Sequence, residues 1–485
     1  MTESTSISAA TGSSVTTLPR IIQGGMGVAV SDWRLANAVS RTGELGIVSG
    51  TGIDTVLVRR LQDGDEGGHS RRALAAYPNQ QRAQATLDKY FLPGGRQGKP
   101  YKRVPLPSLS RHQETWELSI MGAFVEVWLA REGHSNPVGI NLLTKLQLFN
   151  LPSLYGAVLA GAGTVIMGAG IPREIPGALD AFSAGKPGSF RLDVKGDPQG
   201  ETPVVTLDPA DYGLGGIEVP RPSFYPIITS HVLANVLLKK ASGSIQGFVI
   251  EGPTAGGHNA PPRGQVTYDD LGQPIYGERD ICDLSEMRKL SVPFWLAGGQ
   301  ASPESLRAAL AEGAAGIQVG TLFAFCHESG FRADFRQRVQ VQAQQERLSV
   351  FTDPLASPTG FPFKVVQLPD TLSNPAVYAE RQRVCDIGYL REAHWDNSGK
   401  VGWRCASEPV DQYLTKGGKP EDTVGRKCLC NALMSDAGLA QIQKNGDVEK
   451  PLLTSGDGIY ALSDWKVGYT AADVIAYLRG DAPPA

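Results

Sequence analysis

The feature that most narrows what this chain can fold into is an alternation. Eight short apolar runs recur along its first 320 residues, most of them closed by a glycine-bearing turn: Arg20–Gln23, Leu45–Val48, Val138–Leu142, Thr164–Met167, Tyr225–Thr229, Gly247–Ile250, Pro293–Ala297 and Ala315–Val319. Most are separated by stretches of helical periodicity. Asp32–Arg41 repeats apolar residues at Trp33, Leu35, Ala36 and Val39, with Ser31 expected as its cap. Further helices are expected over Glu114–Arg131, Leu151–Ala160, His231–Ala241 and from Ser302 or Pro303 to Ala311. Strands that alternate with helices make a parallel sheet, and eight of them favour a closed (β/α)8 TIM barrel, of the α/β class, over an open doubly wound sheet.

The remaining stretches are insertions and ends. Residues 1–19 are Ser/Thr-rich and lack an apolar core, so they resemble neither a signal peptide nor a transit peptide and are expected to be a disordered tail. The barrel is expected over 20–330, with polar, Gly/Pro-rich insertions at about 60–112 and 185–222, the second holding a β-hairpin near Pro203–Leu207. Residues 259–283 form a long polar loop. From 331 to 485 the alternation stops, and this part is expected to be a mixed or helical extension packed on the barrel. It opens with a charged helix, Arg332–Arg347, read as a solvated face, and ends with a short helix near Ala471–Leu478.

Composition excludes several classes. A net charge of −3 offers no basic face, so no nucleic-acid partner is expected. The uncharged stretch Leu146–Pro172 is broken by glycines and prolines and is read as a helix followed by a buried strand, not a membrane span. The six cysteines come without an export signal, which suits reduced thiols and a cytoplasmic location. Four of them, Cys385, Cys405, Cys428 and Cys430, fall close together. Four thiolates could hold zinc or an iron–sulfur cluster, but the spacing fits neither a zinc ribbon nor a ferredoxin run, so plain reduced thiols are expected and no metal site is assigned.

Glycine is abundant, at 57 residues, and much of it falls where a barrel keeps its chemistry, at the C-terminal ends of the strands. The first such turn is Gly24-Gly25-Met26-Gly27, where bare backbone could approach a flat ligand. Gly298-Gly299 follows the seventh strand and Gly320-Thr321 the eighth, the places where barrels hold phosphate on exposed amides. After the sixth strand comes Glu251-Gly252-Pro253-Thr254-Ala255-Gly256-Gly257-His258. Its histidine titrates near neutrality and stands behind a Gly-Gly at the barrel mouth, so it can give or take a proton. His231 also follows a strand but opens a helix, a weaker setting.

Taken together, the stretches Ile22–Gly27, Gly139–Leu142, Ala255–His258, Ala297–Gly299 and Gln318–Thr321 resemble the nitronate monooxygenases (2-nitropropane dioxygenases) and the related flavin-dependent enoyl-acyl-carrier-protein reductases. Thr352-Asp353 followed by Gly360 resembles a segment beyond the barrel in these enzymes, so the likeness covers roughly 18–365. The resemblance implies a flavin-dependent oxidoreductase with FMN in the barrel. The isoalloxazine would lie against Gly25, Met26, Gly27 and Asn141, near Gly256-Gly257. The phosphate would sit on Gly298, Gly299, Gly320 and Thr321. His258 would be the catalytic base toward the substrate's α-carbon, with O2 reoxidising the flavin. The opening Glu251-Gly252 is closer to the reductases, which would use NAD(P)H and an acyl-thioester substrate. A phosphate-ligand-binding barrel with no redox role is a third expectation, from a different class.

Overall fold

In a computed structural model, which describes residues 18–196, 202–396 and 398–482, the eight apolar runs form one parallel sheet. Its strands are β1 (Ile21–Gln23), β2 (Gly46–Ser49), β3 (Val138–Leu143), β4 (Thr164–Gly168), β5 (Ser223–Ile228), β6 (Phe248–Glu251), β7 (Phe294–Ala297) and β8 (Gly316–Val319). Each pairs with the next from β2 to β8, and β8 pairs with β1. The ring is closed between β1 and β2 by the parallel bridge of Ile22 with Leu45, in which Gln23 N–H donates to Leu45 O at 3.0 Å and Leu45 N–H to Ile21 O at 3.2 Å. The chain is a TIM barrel, as the alternation predicts.

Apolar side chains fill the inside of the ring. Ile22, Ile47, Ile166, Tyr225, Val249 and Trp295 form one buried cluster, and the Trp295 indole donates to Pro19 O at 2.8 Å. Gln23 is the polar member: it is fully buried, its amide donates to Ser31 Oγ at 2.9 Å and its carbonyl accepts Ile47 N–H at 3.0 Å. Strands buried on both faces read as continuous apolar runs, which is why they are visible in the sequence.

Three local expectations need correction. The cap of helix Trp33–Arg41 is Asp32, not Ser31: its carboxylate accepts Arg34 N–H and Leu35 N–H, while Ser31 turns inward to accept Met26 N–H and donate to Gly24 O. Both residue types cap helices, and the tight 24–31 turn takes the serine. The 60–112 stretch is not loop throughout: it holds helices His69–Leu74 and Gln80–Tyr90, and it buries Tyr77 and Tyr90 in the core. The charged helix Ala333–Gln344 is solvated on one side only, since Phe335, Val339 and Ala343 are buried. The 147–168 stretch is the expected helix, Gln147–Leu159, followed by β4, and among the described residues no helix is long and apolar enough to cross a membrane. The first 17 residues of the expected tail lie outside the described residues.

Beyond β8 the chain returns over the barrel mouth. A hairpin of β9 (Val350–Asp353) and β10 (Phe363–Val366) is followed by helix Leu429–Asp436, a loop through 454–458 and helix Ala471–Arg479 against Trp33–Arg41. The insertion and the extension share a sheet: Val194–Lys195 pairs with Glu392–Trp395, which pairs with Val401–Arg404. The hairpin expected in the insertion pairs Gly188–Arg191 with Val204–Leu207.

Candidate active site

The strand ends meet in one cleft at the barrel mouth, with about 1670 Å³ of atom-free space. Every site residue singled out in the sequence lines it: Gly25, Met26, Gly27, Asn141, Gly256, Gly257, His258, Gly298, Gly299, Gly320 and Thr321.

Two of the glycines have stated steric reasons. A Cβ on Gly25 would fall 2.3 Å from Asn141 Cβ, so the glycine lets the β1 turn close on β3, where Asn141 Nδ2 donates to Gly25 O at 3.0 Å. Gly298 has φ +86°, in the left-handed region, and a Cβ there would also meet Thr254 Oγ1 at 3.0 Å.

His258 is fixed from two directions. Its backbone is clamped by β10: Lys364 N–H donates to Gly257 O and Asn259 N–H to Pro362 O, each at 2.9 Å. Its ring meets Phe363 edge-on, with centroids 4.8 Å apart, and Nε2 lies 2.7 Å from Ser357 Oγ. Burial, helped by the Lys145 ammonium, lowers its pKa to about 4, so the imidazole is neutral at pH 7. Two carboxyls also line the cleft. Burial pushes Glu251 up to about 8, and it makes no side-chain hydrogen bond to any described residue. Burial pushes Asp436 well above the usual carboxylate range. Near neutral pH the cleft therefore presents mostly uncharged groups.

The extension supplies a large part of the wall, and sequence reasoning missed it. Tyr389, Leu390, Leu429, Cys430 and Leu433 face the cleft from this part of the chain. Residues 454–458 reach the turns after β6 and β8: Thr454 Oγ1 accepts Gly257 N–H at 2.9 Å, Asp457 N–H donates to Thr254 O at 3.0 Å, and Gly456 N–H donates to Thr321 Oγ1 at 3.3 Å. The only signal for this loop is its composition, Thr454-Ser455-Gly456-Asp457-Gly458.

The residues present fit a flavin nucleotide. Gly298, Gly299, Gly320, Thr321, Ser455, Gly456 and Gly458 line one end of the cleft with amides and hydroxyls and no carboxylate, which suits a phosphate. Asn141 Oδ1 and Gln318 Oε1 also line the cleft, buried without a hydrogen-bond partner among the described residues, two acceptors for N–H or O–H donors such as a flavin carries.

The four clustered cysteines do come together. The neighbouring Cys385 thiol holds Cys405 below the ordinary thiol range, and burial raises Cys428 to about 11. Among the described residues no group of three or more His, Cys, Asp or Glu side chains is arranged to hold a metal ion.

No curated protein matches this chain. Among solved structures it is similar to FabK from Thermotoga maritima (16% identity, TM-score 0.44, covering 95% of this chain and 91% of that one). It is also similar to nitroalkane oxidase from Streptomyces ansochromogenes (15%, TM-score 0.40, 96% of each chain). A third is the enoyl reductase domain of MlnA from the macrolactin biosynthesis cluster of Bacillus amyloliquefaciens (11%, TM-score 0.35, 75% of this chain and 68% of that one). Residues 224–357 match the family model described as nitronate monooxygenase. This match agrees with the resemblance read from the sequence and takes in His258, Gly298-Gly299 and Gly320-Thr321. The match runs from β5 to Ser357, just over a quarter of the chain.

Proposed function

We propose that the chain is an FMN-dependent oxidoreductase that oxidises nitroalkanes and nitronates with O2, with His258 as the base. The observation that carries this reading is the placing of a neutral, clamped His258 across one cleft from the Gly25–Gly27 turn and Asn141. A bound flavin would supply a two-electron acceptor that O2 can reoxidise. Thr321, Ser455 and the 298–299 amides would hold its phosphate, and Asn141 and Gln318 would accept hydrogen bonds from the rest.

His258 does the proton work. With Nε2 committed to Ser357, Nδ1 is the nitrogen left for a substrate. A neutral imidazole is the form that accepts a proton from a carbon next to a nitro group. Burial makes the resulting cation costly, so transfer is easiest for the more acidic substrates, and a preformed nitronate needs no proton removal at all. Leu390, Leu429 and Leu433 present an apolar wall that suits an alkyl chain.

One observation favours a second reading. Glu251 is a carboxyl held in its protonated form, at the cleft and without a side-chain partner among the described residues. An NAD(P)H-dependent enoyl-thioester reductase needs such a donor, to protonate the α-carbon after hydride reaches the β-carbon.

The test is spectroscopic and kinetic. Purified chain, with or without added FMN, should show flavin absorbance. No bound flavin under either condition removes both readings in favour of a non-redox phosphate-ligand barrel. Anaerobic mixing with a nitronate should bleach the flavin. Bleaching by NADPH and not by nitronate would select the reductase.

A further inference from the structure

His258 has a neighbour that leads away from the cleft. Ser357, fully buried, lies on the connection between β9 and β10, and its Oγ is 2.7 Å from His258 Nε2. The same oxygen is 2.8 Å from Thr359 Oγ1 and accepts Thr359 N–H at 3.2 Å. Hydrogen-bond accounting limits what these groups can do. A serine hydroxyl has one proton to give and two lone pairs. One lone pair takes Thr359 N–H. One donor and one acceptor remain, to be divided between the imidazole nitrogen and the threonine hydroxyl, so those two must play opposite parts.

We propose that Ser357 gives its proton to Thr359 Oγ1 and accepts one from His258 Nε2, which fixes the ring in the Nε2–H tautomer with the Nδ1 lone pair toward the cleft. The reverse arrangement, with Ser357 donating to Nε2, would put the ring proton on Nδ1 and leave no lone pair toward the cleft for the base reading above, whereas half-buried Thr359 can pass its own hydroxyl proton to solvent. Ser357 is then a positioning residue: it touches no substrate, and it decides which ring nitrogen carries hydrogen. The catalytic part of the inference rests on the base reading above. In that step the C–H bond of the nitroalkane breaks, its electron pair stays on the substrate as the nitronate, and the proton joins Nδ1. The imidazolium so formed keeps its Nε2–H on Ser357 Oγ.

The test separates the tautomer from the activity. Flavin-free chain labelled with 15N-histidine is read at neutral pH by long-range proton–nitrogen correlation, with the His258 signals identified by their loss in His258→Gln. A protonated Nε2 with a bare Nδ1 is expected, retained in Ser357→Thr and replaced by a mixture of tautomers in Ser357→Ala. A native ring protonated at Nδ1, or a Ser357→Ala spectrum identical to native, overturns the proposal. With FMN bound, Ser357→Ala should lower kcat on a neutral nitroalkane roughly tenfold, leave turnover of the preformed nitronate within about twofold, and recover in Ser357→Thr. Equal losses on both substrates overturn the positioning role. Absence of turnover on either substrate in the native chain defeats the nitronate reading, and the nitrogen spectrum still decides the tautomer.

Discussion

Thr321 Oγ1, on the turn that ends the last barrel strand, lies 3.3 Å from Ser455 Oγ, 134 residues further along the chain. Two hydroxyls from opposite parts of the molecule therefore face one end of the cleft together, with Gly456 N–H directed at the same threonine. Neither part completes this end of the cleft alone.

If that end holds a phosphate, each hydroxyl contributes about 1 kcal/mol to binding. Thr321→Val and Ser455→Ala should each weaken FMN binding by roughly fivefold, measured by fluorescence titration of the flavin-free chain. Unchanged affinity in both variants would move the phosphate elsewhere.

The Gly25 contact gives a steric prediction. Gly25→Ala puts a methyl 2.3 Å from Asn141 Cβ, so backbone must move, at a cost of about 1–3 kcal/mol in urea unfolding. Because the clash is with a Cβ, Asn141→Ala should not relieve it, and Asn141→Gly should relieve part of it.

Arg60 ties three helices together through two buried carboxylates. It pairs with Asp32, the cap of Trp33–Arg41, at 3.0 Å and with Glu126 of helix Gln113–Ala130, whose other oxygen accepts Trp33 N–H at 2.9 Å. Arg60→Met leaves Glu126 buried without a paired cation and Asp32 with Arg34 alone, 2.9 Å away, and should cost about 3 kcal/mol. A loss below about 1 kcal/mol in chemical denaturation would show that water reaches the pair.

His258 and Glu251 should pull stability in opposite directions with pH. The native His258, with its pKa near 4, stays neutral while the unfolded chain takes up a proton near 6.5. Its contribution is complete above about 6.5 and is lost as pH falls toward 4. Glu251 runs the other way: the native carboxyl keeps its proton to about 8 while the unfolded one ionises near 4.5, so its contribution is lost as pH rises across that window. His258→Gln should flatten the acid side of a plot of melting temperature against pH, and Glu251→Gln the alkaline side.

The barrel was legible because its strands are buried on both faces and most of them end at a glycine turn, which marks both core and boundary. His258 was legible for the same reason: a titratable side chain two residues beyond Gly256, at the end of β6, has few structural reasons to be there. Ser357 and the 454–458 loop were not. They come from a region without strand or helix periodicity, and nothing local tells a serine that faces His258 from one that faces solvent. Ser31 and Asp32 show the limit on a smaller scale: both are good caps, and only the fold of the 24–31 turn decides between them.

Because His258 sits on the barrel and Ser357 on the hairpin that lies over it, their hydrogen bond also registers whether the hairpin is in place. A chain whose extension had not yet docked would still have eight strands and most of the cleft. Its imidazole would be free to turn and to carry its proton on either nitrogen. On the base reading, a chain whose hairpin is out of place would lose the contact that orients the imidazole, whatever else of the barrel has formed.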